Sequence, residues 1–305
     1  MRIQYLDNTA KQNLLENLLK RSPNQYGEYE KAVTDILNRV KEEGDSALFA
    51  YTEKFDGAHM DAGSIRVTEA EIEEAYRLVE PGLLSTIRKA LRNIEDYHAK
   101  QRQYSWFDSK PDGTMLGQKV TPLERVGVYV PGGKAVYPSS VLMNIIPAKV
   151  AGVEEIVMVT PPGRDGKAAA NTLVAAKEAG ADIIYKAGGA QAIGALAYGT
   201  ESIPKVDKIV GPGNIYVALA KKAVYGHVSI DSVAGPSEIL VIADETANPR
   251  FVAADLLSQA EHDELASAIL VTTSKTLAEK VSEEVDEFLK VLPRKEIIQK
   301  SLEQY

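Results

Sequence analysis

Gln259 and His262, three residues apart near the C-terminal end of the chain, carry two donor types that a metal ion accepts: an amide oxygen and an imidazole nitrogen. The segment around them, Asn248-Pro249-Arg250-Phe251-Val252-Ala253-Ala254-Asp255-Leu256-Leu257-Ser258-Gln259-Ala260-Glu261-His262, reads as one helix reaching His262. Asn248 is a favourable N-cap, and Pro249 suits the first helical position, where no amide hydrogen is needed. Residues three apart share a helix face, so the pair can aim at one point. Against a metal role, a neutral amide oxygen donates weakly, zinc favours His, Cys and carboxylate in sets of four, and polar helix residues mostly face water. Glu261 and Asp263 point elsewhere on the helix, and Asp255 lies two turns before His262, about 10 Å along the axis. On residue type alone the pair is more often solvated than ligating. His59, His98 and His227 show no ligand spacing and read as surface or packing residues.

A second chemistry is offered by small-residue turns. Val130 runs into Pro131-Gly132-Gly133-Lys134, Lys186 into Ala187-Gly188-Gly189-Ala190-Gln191, and Val210 into Gly211-Pro212-Gly213-Asn214. Glycine admits a close approach of ligand to backbone, and the helix that follows offers free amides to phosphate. No segment has the G-x-G-x-x-G spacing, since Tyr216 stands where the third glycine after Gly211 would fall. One such turn is as often only a tight turn. Three at successive strand ends point to a nucleotide. Gln191 and Asn214 begin helices, as caps, as solvated side chains, or as groups within reach of a ribose or phosphate. Ser237, in the turn 232–238, reads as a turn residue, and no sequence rule marks it as a ligand contact.

These turns need a parallel sheet to bring them together. The first hundred residues are rich in Glu, Lys, Leu and Ala, with helical spacing at 29–43, 69–77 and 81–101. Residues 105–117 are polar, with a β-turn at Pro111-Asp112-Gly113, and are expected to mark a boundary. Short β-branched runs follow at 125–130, 156–160, 183–186, 208–210 and 228–230. Helical stretches at 140–151, 168–179, 190–198 and 215–224 separate them. Such alternation means βαβ units on a parallel sheet. Strands at 239–243 and 269–272 and a helix at 275–289 complete the pattern.

Composition narrows the function. The chain has 305 residues, enough for two or three domains, with 45% apolar and 26% charged residues, as in ordinary globular proteins. A net charge of −8 argues against a nucleic-acid partner. There is no cysteine, which removes disulfides, thiolate zinc sites and any thiol nucleophile. The first residues lack the apolar core of a signal peptide, and the apolar stretch 141–159 is broken by Asn144, Pro147, Lys149, Glu154 and Glu155. A cytoplasmic protein without membrane contact is expected.

Glu124-Arg125-Val126-Gly127-Val128-Tyr129-Val130-Pro131-Gly132-Gly133, Ala187-Gly188-Gly189-Ala190-Gln191-Ala192-Ile193, Gly211-Pro212-Gly213-Asn214, Ala234-Gly235-Pro236-Ser237-Glu238 and Ser258-Gln259-Ala260-Glu261-His262 together resemble histidinol dehydrogenase, in order and in spacing. The resemblance implies an α/β fold with two Rossmann-like (aldehyde-dehydrogenase-like) domains on parallel sheets, plus a helical N-terminal segment. The expected division is a helical arm at 1–22, a discontinuous first domain of 23–128 and 237–305, and an NAD-side domain of 129–236. The implied activity is zinc-assisted, NAD-dependent oxidation of L-histidinol through L-histidinal to L-histidine, by a homodimer. On this resemblance Tyr129, Gln191 and Asn214 contact NAD, Ser237, Gln259 and His262 contact substrate, and Gln259 and His262 bind zinc. The family's catalytic Glu-His pair, its remaining Asp and His zinc ligands and its small C-terminal domain match nothing in these 305 residues, so the resemblance assigns no catalytic residue to this chain. It implies a C-terminally shortened chain that is inactive by itself. A non-catalytic nucleotide-binding or dimerisation module is the alternative of another class. An aldehyde-dehydrogenase-like enzyme fits the alternation of strand and helix but not the absence of cysteine.

Overall fold

The computed structural model describes residues 2–13, 27–132, 137–233, 238–262, 264 and 266–304. The chain forms two compact units, one of residues 26–233 and the other of residues 1–25 with 234–305.

The larger unit is built on five parallel strands: β3 (Arg125–Tyr129), β4 (Glu155–Thr160), β5 (Ile183–Lys186), β6 (Lys208–Val210) and β7 (Ser229–Ile230), in the order β5-β4-β3-β6-β7. The chain runs outward from β3 to β5, then crosses to the far side of β3 and continues with β6. Alternate residues of a strand face opposite sides. Val157, Val159 and Ile209 accordingly enter one apolar core, and Val126, Val128, Ile156 and Met158 the other. Burial on both faces explains why these strands are short unbroken β-branched runs.

Helices cover both faces. Ile36, Leu37 and Val40 of α1 (Gly27–Glu43) and Leu48 of α2 (Asp45–Asp56) bury against the first core, with Ile193 and Leu196 of α7 (Gly189–Tyr198) and Val217 of α8 (Ile215–Val224). The second core takes α3 (Glu69–Leu78), α4 (Pro81–Ala99), α5 (Pro138–Ala151) and α6 (Ala170–Ala179). Thr68 opens α3 with a capping box, its hydroxyl accepting from the Glu71 amide while Glu71 reaches back. The segment 105–117 is a hairpin and not a domain boundary. β1 (Trp106–Ser109) pairs antiparallel with β2 (Met115–Gln118), and Gly113 turns the chain at φ +83°.

In the smaller unit, residues 8–13 are helical. β8 (Glu238–Ala243) pairs in parallel with β9 (Ser267–Thr272). Against them lie α9 (Pro249–Ala260), α10 (Lys275–Val291) and α11 (Lys295–Gln304), with Leu256, Val281, Val285 and Ile298 at the core. The α/β class with parallel sheets is as expected. The apolar faces of α1–α4 are buried on the five-stranded sheet, and residues 27–128 belong to the same compact unit as that sheet. Helices α2 and α11 are additions to the elements read from the sequence. Among the described residues no helix is long and apolar enough to cross a membrane.

Leu196 is fully buried, and its methyls fill the space left free by the missing side chain of Gly127 on β3. Leu196→Ala is expected to lower the unfolding free energy by about 2–5 kcal/mol. Urea denaturation should show a lower midpoint with an unchanged m-value.

Candidate nucleotide crevice and donor pair

In open α/β sheets ligands bind at the carboxyl ends of strands, at the point where strand order reverses. Here that point lies between β3 and β6, and the order β5-β4-β3-β6-β7 matches the dinucleotide-binding arrangement on that side. Gly211 follows β6 at φ +115°, and a Cβ there would collide with the Tyr129 carbonyl of β3, so only glycine lets the two chains meet. One ion pair holds Gly211 from both sides. Its amide donates to Asp231 Oδ2 at 2.8 Å, and its carbonyl accepts from Lys221 Nζ at 2.9 Å. Lys221 and Asp231 are also bonded to each other, and Asp231 Oδ1 accepts from the Ser232 amide at 2.6 Å. Lys221 is 3% exposed on α8, so its charge is held entirely by these partners. The turn so fixed delivers Asn214 as N-cap of α8, with Oδ1 accepting from the Val217 amide at 3.2 Å. Asn214 is exposed, and it caps the helix through Oδ1, which leaves its side-chain NH2 outside the cap.

Tyr129 ends β3 and is buried. Its hydroxyl accepts from the Gly189 amide at 3.1 Å, tying β3 to the first turn of α7. Burial pushes the hydroxyl up to about 12, with Gly189 opposing and the Asp56 carboxylate adding to the shift. Gly189 has φ +62°, and a side chain there would press on the Gln191 amide. Gln191 is 1% exposed, and neither its Oε1 nor its Nε2 has a partner within the chain. Asp56, at the last position of α2, has a buried Oδ2 that is also unpartnered, and burial raises its carboxyl to about 6. A cleft of about 470 Å³ opens at Gly132, Thr160 and Pro161, at and beyond the ends of β3 and β4, with its other walls from α3 and residues 162–173. The three residues expected to contact a nucleotide thus all lie at the carboxyl ends of strands or in the first turn beyond them.

The expected donor pair is in the smaller unit. α9 stops at Ala260, two residues short of the sequence reading, with Glu261 as its C-cap. Gln259 is half-buried on the last helical turn, while exposed His262 lies beyond it, its amide donating to the Gln259 carbonyl at 3.1 Å. That bond keeps the two residues adjacent. Among the described residues no group of three or more His, Asp or Glu side chains could hold a metal ion. Zinc takes three or four protein donors, so Gln259 and His262 do not by themselves fit it. Ser237 lies outside the described residues.

The family model described as histidinol dehydrogenase matches residues 19–305. The chain belongs to the histidinol dehydrogenase family. It is 61% identical over 276 residues to the histidinol dehydrogenase of Halalkalibacterium halodurans, covering 90% of this chain and 65% of that one. Against the Listeria monocytogenes (serotype 4b) enzyme it is 55% identical over 301 residues, covering 99% and 70%. A crystal structure of histidinol dehydrogenase from Elizabethkingia anophelis superposes with a TM-score of 0.83 at 42% identity, over 99% of this chain and 65% of that chain. The chain thus spans about 65% of the length of the first of these relatives.

Sequence reasoning overlooked Lys221, Asp231 and Asp56. A signal for Lys221 was present: it stands four after Val217 and three before Val224, on the buried stripe of α8, where a lysine needs a partner. Asp56 carried a fainter one, a carboxylate at the negative end of a helix.

Asp231→Ala would leave the Lys221 charge buried and uncompensated, at a cost of about 3–5 kcal/mol, whereas Lys221→Met, which removes the buried charge itself, is expected to cost less. Chemical denaturation of both variants measures the difference. Asp56 supplies a pH signature. A carboxyl raised to about 6 in the fold binds protons more tightly folded than unfolded. Its contribution to stability therefore declines as pH rises from about 4 to about 6. Thermal unfolding across that window should show the decline in the parent and a flatter profile in Asp56→Asn.

Proposed function

We propose that this chain carries the NAD-binding part and part of the substrate-binding set of an enzyme that oxidises L-histidinol through L-histidinal to L-histidine. The observation that carries the reading is the reversal of strand order between β3 and β6, with Tyr129, Gln191 and Asn214 gathered at the strand ends beside it. Family membership supports the substrate, together with a homodimer and a cytoplasmic location.

NAD, when bound, supplies the hydride acceptor for each of two oxidations. The chain's own part is to bind and orient it. The first amides of α8 lack partners within their helix and face an anion favourably, which suits the pyrophosphate. The Asn214 NH2 can donate to the same group or to a ribose oxygen. Gln191 brings one donor and one acceptor in a buried setting, where an unmet amide is costly. Tyr129, raised to about 12, keeps its proton at neutral pH, so it acts as a hydrogen-bonding group and not as a base. Lys221 and Asp231 keep the Gly211 turn in place while the cofactor comes and goes.

Ser237, Gln259 and His262 are assigned to the imidazole and amine of the substrate. Gln259 and His262 are also the two donors this chain would contribute to zinc, a minority of what the ion requires. With no cysteine in the chain, the aldehyde has no thiol to trap it. Water would therefore have to add to the carbonyl before the second oxidation, for which bound NAD would be the hydride acceptor. The base for that addition is not assigned to any residue of this chain.

The purified 305-residue chain is expected to bind NAD in a calorimetric titration yet to form no NADH with histidinol, NAD and zinc, because its described residues offer two zinc donors. Robust NADH production would overturn this. Absence of NAD binding would instead favour a purely structural or dimerising module. Asn214→Ala should cost about 1 kcal/mol of stability through the lost cap and weaken NAD binding as well. A variant that lost only the stability would remove Asn214 from the site.

A further inference from the structure

Among the described residues four buried side-chain polar atoms have no partner within the chain, and three of them are Asp56 Oδ2 and the two ends of the Gln191 amide. The remaining one, Ser267 Oγ, belongs to the smaller unit. Folded proteins pair the great majority of buried polar groups, so a concentration of unpaired ones calls for a ligand. Contacts connect these groups. Gln191 presses on Gly189, the Gly189 amide donates to the Tyr129 hydroxyl, and Asp56 is near enough to Tyr129 to bear on its charge state. Asp56 and the Gly57 that follows it end α2, with Gly57 in the left-handed region at φ +70°. Ala58, the next residue, is buried in the same apolar core as Tyr129, Ala187 and Ala190, so α2 ends on the side of the sheet where β3 and β5 finish.

We infer that Asp56 is a further cofactor-contacting residue, whose Oδ2 accepts a hydroxyl of a ribose ring of NAD. The inference rests on the reading of this crevice as an NAD site. The chemistry of the neighbouring groups favours a diol. A carboxylate offers only acceptors, and the Gln191 amide offers one of each kind. The neutral hydroxyls of a ribose can donate to the carboxylate, whereas a phosphate brought against it would be repelled. In open α/β folds an acidic residue commonly serves a ribose in this way. Here it comes from the C-terminal end of a helix that precedes the sheet in sequence. The Arg164 side chain packs over Gly57, with its Cγ 3.5 Å from where a Cβ would stand, so its stem covers the turn that follows Asp56. In the free chain this carboxylate has neither a charged partner nor a donor to Oδ2, and the helix end disfavours it. It is thus costly to the fold until a ligand pairs it.

The test uses the 305-residue chain, with NAD and NADP as probes in calorimetric titrations of the parent, Asp56→Asn and Asp56→Ala, and with thermal unfolding of each in the absence of nucleotide. The expected result is NAD binding by the parent, weakened about tenfold to a hundredfold in both variants, as for loss of one hydrogen bond to a charged group. The apo form of Asp56→Asn should melt at or above the parent temperature at pH 7.5, since it loses a buried unpaired charge. If Asp56→Asn also narrows the preference for NAD over NADP, the hydroxyl is that of the adenosine ribose. If it weakens NAD with the preference unchanged, the hydroxyl is on the nicotinamide ribose. Unaltered NAD affinity in folded Asp56→Asn would overturn the inference and leave the NAD site standing. A parent chain that binds no NAD would overturn both.

Discussion

The main chain at Gly211 is held in a grip that the rest of the crevice relies on. Its amide and carbonyl are taken by Asp231 and Lys221, which are bonded to each other, and its α-carbon lies against the Tyr129 carbonyl, where a larger residue has no room. A parallel sheet places β3 and β6 side by side but says nothing about the loops beyond them. The ion pair converts that adjacency into a fixed opening. It is anchored at the C-terminal half of α8 and at the residue after β7, so the last two elements of the unit brace the turn that starts the helix. Burying a lysine charge is costly, and here carboxylate and carbonyl together offset the cost.

On the other side of Tyr129 the polar accounting is reversed. Lys221 is buried with its partners in place, whereas buried Gln191 and half-buried Asp56 have buried polar atoms unmatched. One end of the crevice is therefore rigid and satisfied, and the other is strained and ready for hydrogen-bonding groups from outside. Binding sites commonly sacrifice stability in this way, because the groups that must be met by ligand are not met by the fold. The Tyr129 hydroxyl bridges the two regions, occupied by the Gly189 amide and kept neutral by burial.

The smaller unit shows a different limit. Its helix α9 was readable from Asn248 and Pro249 at the start, and both perform as caps do, with Asn248 accepting from the Arg250 amide at 3.0 Å. The end of the helix was not readable, because nothing in Ala260-Glu261-His262 is a strong terminator. His262 lies two residues beyond the last helical residue, and its amide is bonded to the Gln259 carbonyl. The two residues are therefore linked through a turn and not through a shared helical face, and among the described residues no group of three or more His, Asp or Glu side chains could hold a metal ion.

Strand and helix alternation in the sequence established the α/β class and nearly every element of the five-stranded sheet, since strands buried on both faces must be short and β-branched. Small residues after β3, β5 and β6 marked the tight turns at the strand ends, and the long blocks around them identified the family. The hairpin at 106–118 escaped notice because neither of its faces is buried, so no alternation of polar and apolar residues records it. Lys221 with Asp231 and Asp56 with Tyr129 are pairs separated widely along the chain, and nothing local in either partner encodes the other. Sequence by itself determined which elements form and which turns are tight. Only the tertiary structure decided which charges are matched and which are left waiting, because pairing depends on where packed helices end over the sheet and not on the residues beside them in the chain.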